Sequence, residues 1–246
     1  MNIGVIPARM DSKRFPGKPL ALINGLPMIQ HVYENSKNSK NLDEVIIATC
    51  DIEIQQEAIK FGAKVIMTSS LHKRASERLI EVSDKIEGDV FVLIQGDEPL
   101  INGNMIDKSL GPINLPGVEC VNLMSRIQNN VDLKSLDTIK VIYDNNYDAL
   151  YFSRNVIPYS SNIDVLHEKF FKQVCVIPFT LKALSIYKEL GESNLERSES
   201  VDMLRFIENG YRIRMVETHD ITHAVDRISD VKVVEMILNK RGINHN

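Results

Sequence analysis

Through residue 94 the chain alternates short, continuous apolar runs with amphipathic stretches of helical period, and few architectures accommodate that rhythm. Residues 3–6, 45–48, 64–67 and 90–94 read as strands, and residues 27–38, 52–61 and 76–85 as helices between them. Met28, Ile29, Val32 and Tyr33 are available for burial in the first helix, and Leu79, Ile80 and Val82 in the third. Strands that are apolar throughout, rather than at every second residue, are buried on both sides. The pattern therefore predicts an α/β fold, a mainly parallel sheet with helices on both faces. Ligands of such sheets sit beyond the carboxyl ends of the strands. Three polar loops follow strands at that edge: the one opening at Arg9, Thr49-Cys50-Asp51, and Gln95 to Pro99.

From about Glu119 the rhythm changes. Residues 121–126, 138–143, 149–152 and 174–179 read as strands with few helices between them, and Asn145-Asn146 suits a hairpin turn because Asn tolerates the left-handed conformation. Helices are expected over 181–190 and 198–209, the second stopping at Gly210, then a strand over 212–217 and a helix over 229–240. With no repeat, low-complexity segment or long linker, residues 1–246 read as one domain.

A hydrophobic content of 43% supplies a core, and a net charge of −4 without any basic tract argues against nucleic acid as the main partner. Cys50, Cys120 and Cys175 show neither metal spacing nor a disulfide framework, which suits a reducing compartment. No run approaches the roughly 18 apolar residues of a membrane span, and Met1-Asn2-Ile3 leads straight into a strand without a secretion signal. The expectation is a cytoplasmic protein without a membrane span.

Against that acidic background the stretch IPARMDSKRFPGKPL gathers Arg9, Lys13, Arg14 and Lys18 on a loop whose path is restricted by Gly17 and two prolines. Cations and turn amides in such a loop can converge on phosphate oxygens, although a solvated loop with scattered cations has the same composition. It matches neither a Walker A loop nor the glycine-rich fingerprint of dinucleotide enzymes, which sets a Rossmann-type dehydrogenase aside. In QGDEPL, Asp97 follows a strand where a carboxylate can hold Mg²⁺ against a triphosphate; a capped acidic turn is the alternative. Asp226, before the last helix, is either a third functional carboxylate or, like Ser229, a helix cap. His72, His219 and His223 are scattered and fit no metal or base arrangement.

Taken in order, IPARMDSKRFPGKPL, QGDEPLI and ALYFSRNVIPY resemble the 3-deoxy-manno-octulosonate (Kdo) cytidylyltransferases, the CMP-Kdo synthetases of bacterial surface-polysaccharide synthesis. NGLPMIQHVYE and ENGYRIR extend the likeness over nearly the whole chain. The resemblance implies a nucleotidyltransferase fold and a homodimer with an arm or subdomain at about 121–190. It also implies CTP, an acidic sugar acceptor and Mg²⁺. Carried onto this sequence, Arg9 and Gln95 would hold the cytidine, Arg14 and Lys18 would neutralise the triphosphate, and Asp97 and Asp226 would hold Mg²⁺. Arg154 would stand on the acceptor side, and Arg78 joins Arg9, Gln95 and Arg154 as a binding residue. Lys18, Arg14 and Asp97 would carry the catalysis.

Several positions depart from the family pattern. Where the family has His-x-Ser-Gly-Thr-Asp/Glu-Arg, this chain has His72-Lys73-Arg74-Ala75-Ser76-Glu77-Arg78. A His and a Tyr become Gln173 and Ile177, Glu-Gln becomes Asp202-Met203, and the last acidic turn gains Arg227. Cys50 stands where an acid is commoner. Loss of polar partners in a hydrogen-bonding pocket changes substrate choice steeply. Kdo and another acidic acceptor, such as a phosphonate or phosphorylated compound, are therefore both carried forward. A nucleotide-binding regulator without turnover is the competing class; metal carboxylates and a cationic loop together argue against it.

Overall fold

The computed structural model describes residues 1–12, 14–160 and 170–242; Lys13 of the cationic loop and residues 161–169 of the expected arm lie outside them. The chain forms two compact units, Met1–Asp107 with Ile221–Asn246, and Lys108–Asp220.

The element order begins β1 (Asn2–Ala8), a 3-10 turn (Lys18–Leu20), β2 (Leu22–Ile23), β3 (Leu26–Pro27), α1 (Met28–Lys37), β4 (Glu44–Thr49), α2 (Ile52–Lys60), β5 (Lys64–Met67), α3 (Ala75–Ser83), β6 (Val90–Ile94) and α4 (Gly103–Leu110). There follow β7 (Val121–Arg126), α5 (Asn130–Lys134), β8 (Lys140–Tyr143), β9 (Ala149–Ser153), β10 (Phe171–Val174) and β11 (Val176–Thr180). The chain continues through α6 (Leu181–Leu190), α7 (Asn194–Glu199), α8 (Leu204–Glu208), β12 (Arg214–Thr218) and α9 (Ile228–Lys240).

Every strand and helix expected through residue 94 is present, because each has a strong local cause: continuous Val and Ile in the strands, one apolar face in the helices. In the first unit β6, β1, β4 and β5 lie side by side and parallel. From β1 the chain steps outward through β4 to β5, then returns to place β6 on the far side of β1. Right-handed crossovers therefore put α1 and α2 on one face and α3 on the other. The order reverses between β1 and β6, and the crevice beyond their carboxyl ends is the switch point where sheets of this kind bind ligands. Gly96 follows β6 at that point. A Cβ there would lie 2.9 Å from the Pro7 carbonyl oxygen, so only glycine lets the two strand ends run this close.

The second unit carries a mixed sheet ordered β12-β7-β10-β8-β9, antiparallel except for the β12–β7 pair. Three expectations are corrected here. Residues 174–179 are two strands, since β10 ends at Val174 and β11 begins at Val176 outside this sheet. The helix expected over 198–209 is broken: α7 ends at Glu199, and Ser200 after it is left-handed with φ 55° before α8 begins. A buried ion pair explains the break. The Arg205 guanidinium of α8 forks onto Glu196 of α7 at 2.8 and 2.9 Å, and only a bend brings the two residues face to face. In the β8–β9 turn the left-handed residue is Tyr147 (φ 62°), not an asparagine. The Asp144 carboxylate accepts the Asn146 and Asp148 N–H groups, while the Tyr147 ring stacks on Tyr143, offsetting the strain. Helix α4 was not legible as a periodic segment; its start at Gly103 is set by Asn102, whose Oδ1 accepts the Met105 N–H at 3.0 Å. Among the described residues no helix is long and apolar enough to cross a membrane.

Candidate active site

Beyond Ala8 the chain turns outward at Arg9 and folds into a closed loop. The Met10 N–H donates to the Asp51 carboxylate at 2.8 Å, and the Gly17 N–H returns to the Met10 carbonyl at 3.0 Å. Gly17, at φ 72°, makes the reversal, and buried Pro19 fixes the 3-10 turn that Lys18 opens. Asp51 is thus a positioning residue. It belongs to a polar loop visible in the sequence, but its pairing with Met10 depends on β1 and β4 being neighbours.

Lys18 Nζ donates to Asp97 Oδ2 at 2.6 Å and stands 3.8 Å from Asp226 Oδ1, to which Arg14 also donates. The Lys18, Asp97 and Asp226 side chains are only 12–18% exposed. One ammonium therefore touches both carboxylates, which come from distant parts of the chain. The backbone reinforces this: the Val225 N–H donates to the Asp97 carbonyl at 2.8 Å. Beneath them lies an apolar cluster of Ile23, Met28, Leu100, Val225, Val234 and Leu238, with Phe15 packed against it. Phe15, Leu100 and Val225 each sit within three residues of a charged group above, so burial of this cluster sets the charged constellation.

Asp226 does not cap α9. Asp230 does, its carboxylate accepting the N–H groups of Asp226 and Arg227 at 2.9 and 2.8 Å. The Asp226 carboxylate instead meets Arg14 and Lys18. The signal was present in the sequence as an acid three residues after the residue preceding the helix.

The other expected residues separate into two kinds. Arg9 and Gln95 follow the adjacent strands β1 and β6, Arg9 exposed and Gln95 half-buried, and neither side chain has a hydrogen-bond partner among the described residues. Arg78 is buried, donating to the Thr68 hydroxyl and, at 3.6 Å, to Cys50 Sγ, so it ties α3 to the turns that follow β4 and β5. His72 meets Glu81; burial would raise that carboxyl, but Lys85, the Ser69 N–H and His72 hold it down at about 2. This pairing makes His72 a loop anchor. The Glu77 carboxylate accepts the Lys73 and Arg74 N–H groups at the start of α3, where Ala75 is the first helical residue.

In the second unit the Arg154 guanidinium donates to the carbonyls of Glu199, Leu136 and Ser200, and Glu199 in turn accepts from Ser153 and the Arg154 N–H. Lys140, fully buried, donates to the carbonyls of Ser135, Thr138 and Arg154 at 2.7, 2.9 and 2.5 Å. Gln173 donates to Asn122 at 2.6 Å, and Ile177 and Met203 are buried apolar side chains. Burial pushes the Tyr187 hydroxyl well above its usual range, and it donates to Glu196.

A family model described as Cytidylyltransferase matches residues 3–217. The 3-deoxy-manno-octulosonate cytidylyltransferase of Geobacter metallireducens is 40% identical over 95% of this chain and 96% of its own. That of Thermodesulfovibrio yellowstonii is 37% identical over 97% and 98%. The chain belongs to the Kdo cytidylyltransferase family. Among solved structures, a CMP:2-keto-3-deoxy-manno-octonic acid synthetase in complex with CTP superposes with a TM-score of 0.88 at 36% identity, covering 98% of this chain and 99% of the other. A putative glucose-1-phosphate thymidylyltransferase from Bacillus anthracis shares the fold at a TM-score of 0.71 and 15% identity, covering 100% and 98%. The Kdo cytidylyltransferase chain is thus a nucleotidyltransferase of the α/β type, and the resemblance read from its motifs holds over nearly its full length.

Proposed function

We propose that the protein transfers CMP from CTP to a hydroxyl of 3-deoxy-manno-octulosonate, releasing pyrophosphate and activating the sugar for lipopolysaccharide synthesis. The acceptor oxygen bonds to the α-phosphorus as the α–β bridging oxygen leaves. The observation that carries the reading is Lys18 on both Asp97 and Asp226 at the sheet's switch point, in a chain of this family. Arg14 and Lys18 neutralise the triphosphate, and Arg9 and Gln95, whose side chains have no hydrogen-bond partner among the described residues, take the cytidine. Reactions of this type depend mainly on positioning and on charge neutralisation, which fits a site made of opposed cations and carboxylates.

The donor set also suits Mg²⁺. Among the described residues no group of three or more His, Cys, Asp or Glu side chains is arranged for a metal, but Mg²⁺ is held by one or two carboxylates together with substrate phosphates. Asp97 and Asp226, already sharing one cation, are that pair. When bound, the ion would withdraw charge from the phosphate oxygens. Arg78 and Arg154, with guanidinium groups committed to internal acceptors, serve this reading as positioning residues. A homodimer built through about 121–190 accords with the exposed Leu136, Leu150 and Tyr159 of that stretch.

A second reading keeps the chemistry and changes the acceptor to another acidic compound. It is favoured by buried Ile177 and Met203, and by Gln173 donating to Asn122, at positions where the family pattern has polar side chains. Pyrophosphate release with CTP, Mg²⁺ and either Kdo, other keto-sugar acids, phosphonates or phosphorylated acids decides between them. Turnover with Kdo supports the first reading. Turnover with another acid alone supports the second, and CTP binding without release from any acceptor would point to a regulator.

A further inference from the structure

We propose that Lys18 and Arg14 are internal counter-ions that couple metal binding to triphosphate binding, so that a divalent ion binds firmly only together with the nucleotide. The inference rests on the reading of Asp97 and Asp226 as metal carboxylates.

In the chain on its own, both carboxylates are already neutralised. Lys18 holds Asp97 at 2.6 Å and reaches Asp226 Oδ1 at 3.8 Å, and Arg14 holds the same Asp226 oxygen. Both carboxylates thus meet their opposite charge within the chain, through one shared ammonium and one guanidinium. The pairing stabilises the carboxylates and also stands in the way of a metal. A divalent ion arriving alone has to displace the Lys18 ammonium from Asp97, and it adds positive charge beside cations that have lost a carboxylate. A triphosphate arriving alone finds those same cations engaged by the carboxylates. Arriving together, the metal takes carboxylate oxygens while the ammonium and guanidinium turn to phosphate oxygens, and every charge has a partner.

Little backbone motion is needed. Pro19 is buried and Gly17 is held by Met10, so the exchange falls to the long, flexible lysine stem and to Arg14, half exposed at the loop. Such coupling is reciprocal: whatever the nucleotide adds to metal affinity, the metal adds to nucleotide affinity.

Manganese binding to the full-length protein, followed by electron paramagnetic resonance with and without a non-cleavable CTP analogue and with no acceptor present, tests this. Wild type is expected to bind Mn²⁺ weakly alone and about tenfold or more tightly with the analogue. Lys18→Met is expected to bind Mn²⁺ alone about tenfold more tightly than wild type, with a smaller gain from the analogue. Arg14→Gln, altering an exposed side chain, moves the same way by a smaller factor and carries the test if Lys18→Met fails to fold. Folded variants that bind Mn²⁺ alone no better than wild type, with the gain from the analogue unchanged, overturn the coupling. Equal Mn²⁺ affinity in wild type and Asp97→Asn, with the analogue present, instead overturns the reading of the carboxylates beneath it.

Discussion

The main-chain N–H of Val225 donates to the Asp97 carbonyl at 2.8 Å, joining the loop after β6 to the loop before α9 one residue from Asp226. Two carboxylates from distant parts of the chain are thereby set by backbone as well as by their shared lysine. Asp97→Asn and Asp226→Asn keep the size and the main-chain bond while removing charge. Each is expected to lower the rate of pyrophosphate release by about 10²–10³-fold with the thermal melt little changed. Near wild-type turnover in either variant would remove that residue from the chemistry.

Gly96 offers a test of geometry without any change of charge. An added methyl group would lie 2.9 Å from the Pro7 carbonyl oxygen, which is backbone and cannot step aside, so Gly96→Ala must push the end of β6, and Asp97 with it, away from β1. A displacement of about 1 Å is expected to lower kcat by about 10²-fold. The comparison of kcat with the affinity for CTP checks it: unchanged turnover would show that Asp97 tolerates the shift.

Lys140 gives the protein a pH signature in the alkaline range. Burial, aided by the nearby Arg154 guanidinium and opposed by Glu199, lowers its ammonium from 10.5 to about 8. Between those values the unfolded chain binds the proton and the folded chain does not, so this group makes stability rise with pH. The gain from pH 8 to 10.5 is expected to be on the order of 1–3 kcal/mol in urea unfolding of wild type relative to Lys140→Met. Lys140→Met itself leaves the Ser135, Thr138 and Arg154 carbonyls without their donor and should be less stable at pH 7 by about 1–3 kcal/mol. Parallel pH profiles for the two proteins would contradict the assignment.

The Glu196–Arg205 pair holds the bend between α7 and α8. Both side chains are nearly inaccessible to water, so Arg205→Met strands a buried carboxylate and is expected to destabilise the protein by about 3–5 kcal/mol. Urea unfolding measures this directly, and a loss below about 1 kcal/mol would mean that Glu196 escapes to water or becomes protonated.

Read from the amino acids alone, the first unit was legible almost element by element. Continuous apolar strands and amphipathic helices depend on neighbours within a turn or two of the chain, and that information is local. The same locality exposed the cationic loop, since Gly17 and its flanking prolines restrict the backbone wherever the loop ends up. The quoted motifs carried the family and the names of the charged residues. Other features lay beyond local pattern. The bend at Ser200 arises from an ion pair that forms only when α7 and α8 pack together, and the left-handed Tyr147 depends on its ring finding Tyr143. Whether Asp226 capped a helix or met Arg14 and Lys18 was undecided in the sequence, because capping and ion pairing draw on the same carboxylate. The tertiary structure decided it by giving the cap to Asp230 and bringing Val225 against Asp97. The sequence by itself determined which side chains could serve a polyanionic substrate; chain closure, through strand order and one apolar cluster, decided which of them face one another, because charges far apart in sequence meet only where burial of their apolar neighbours brings them.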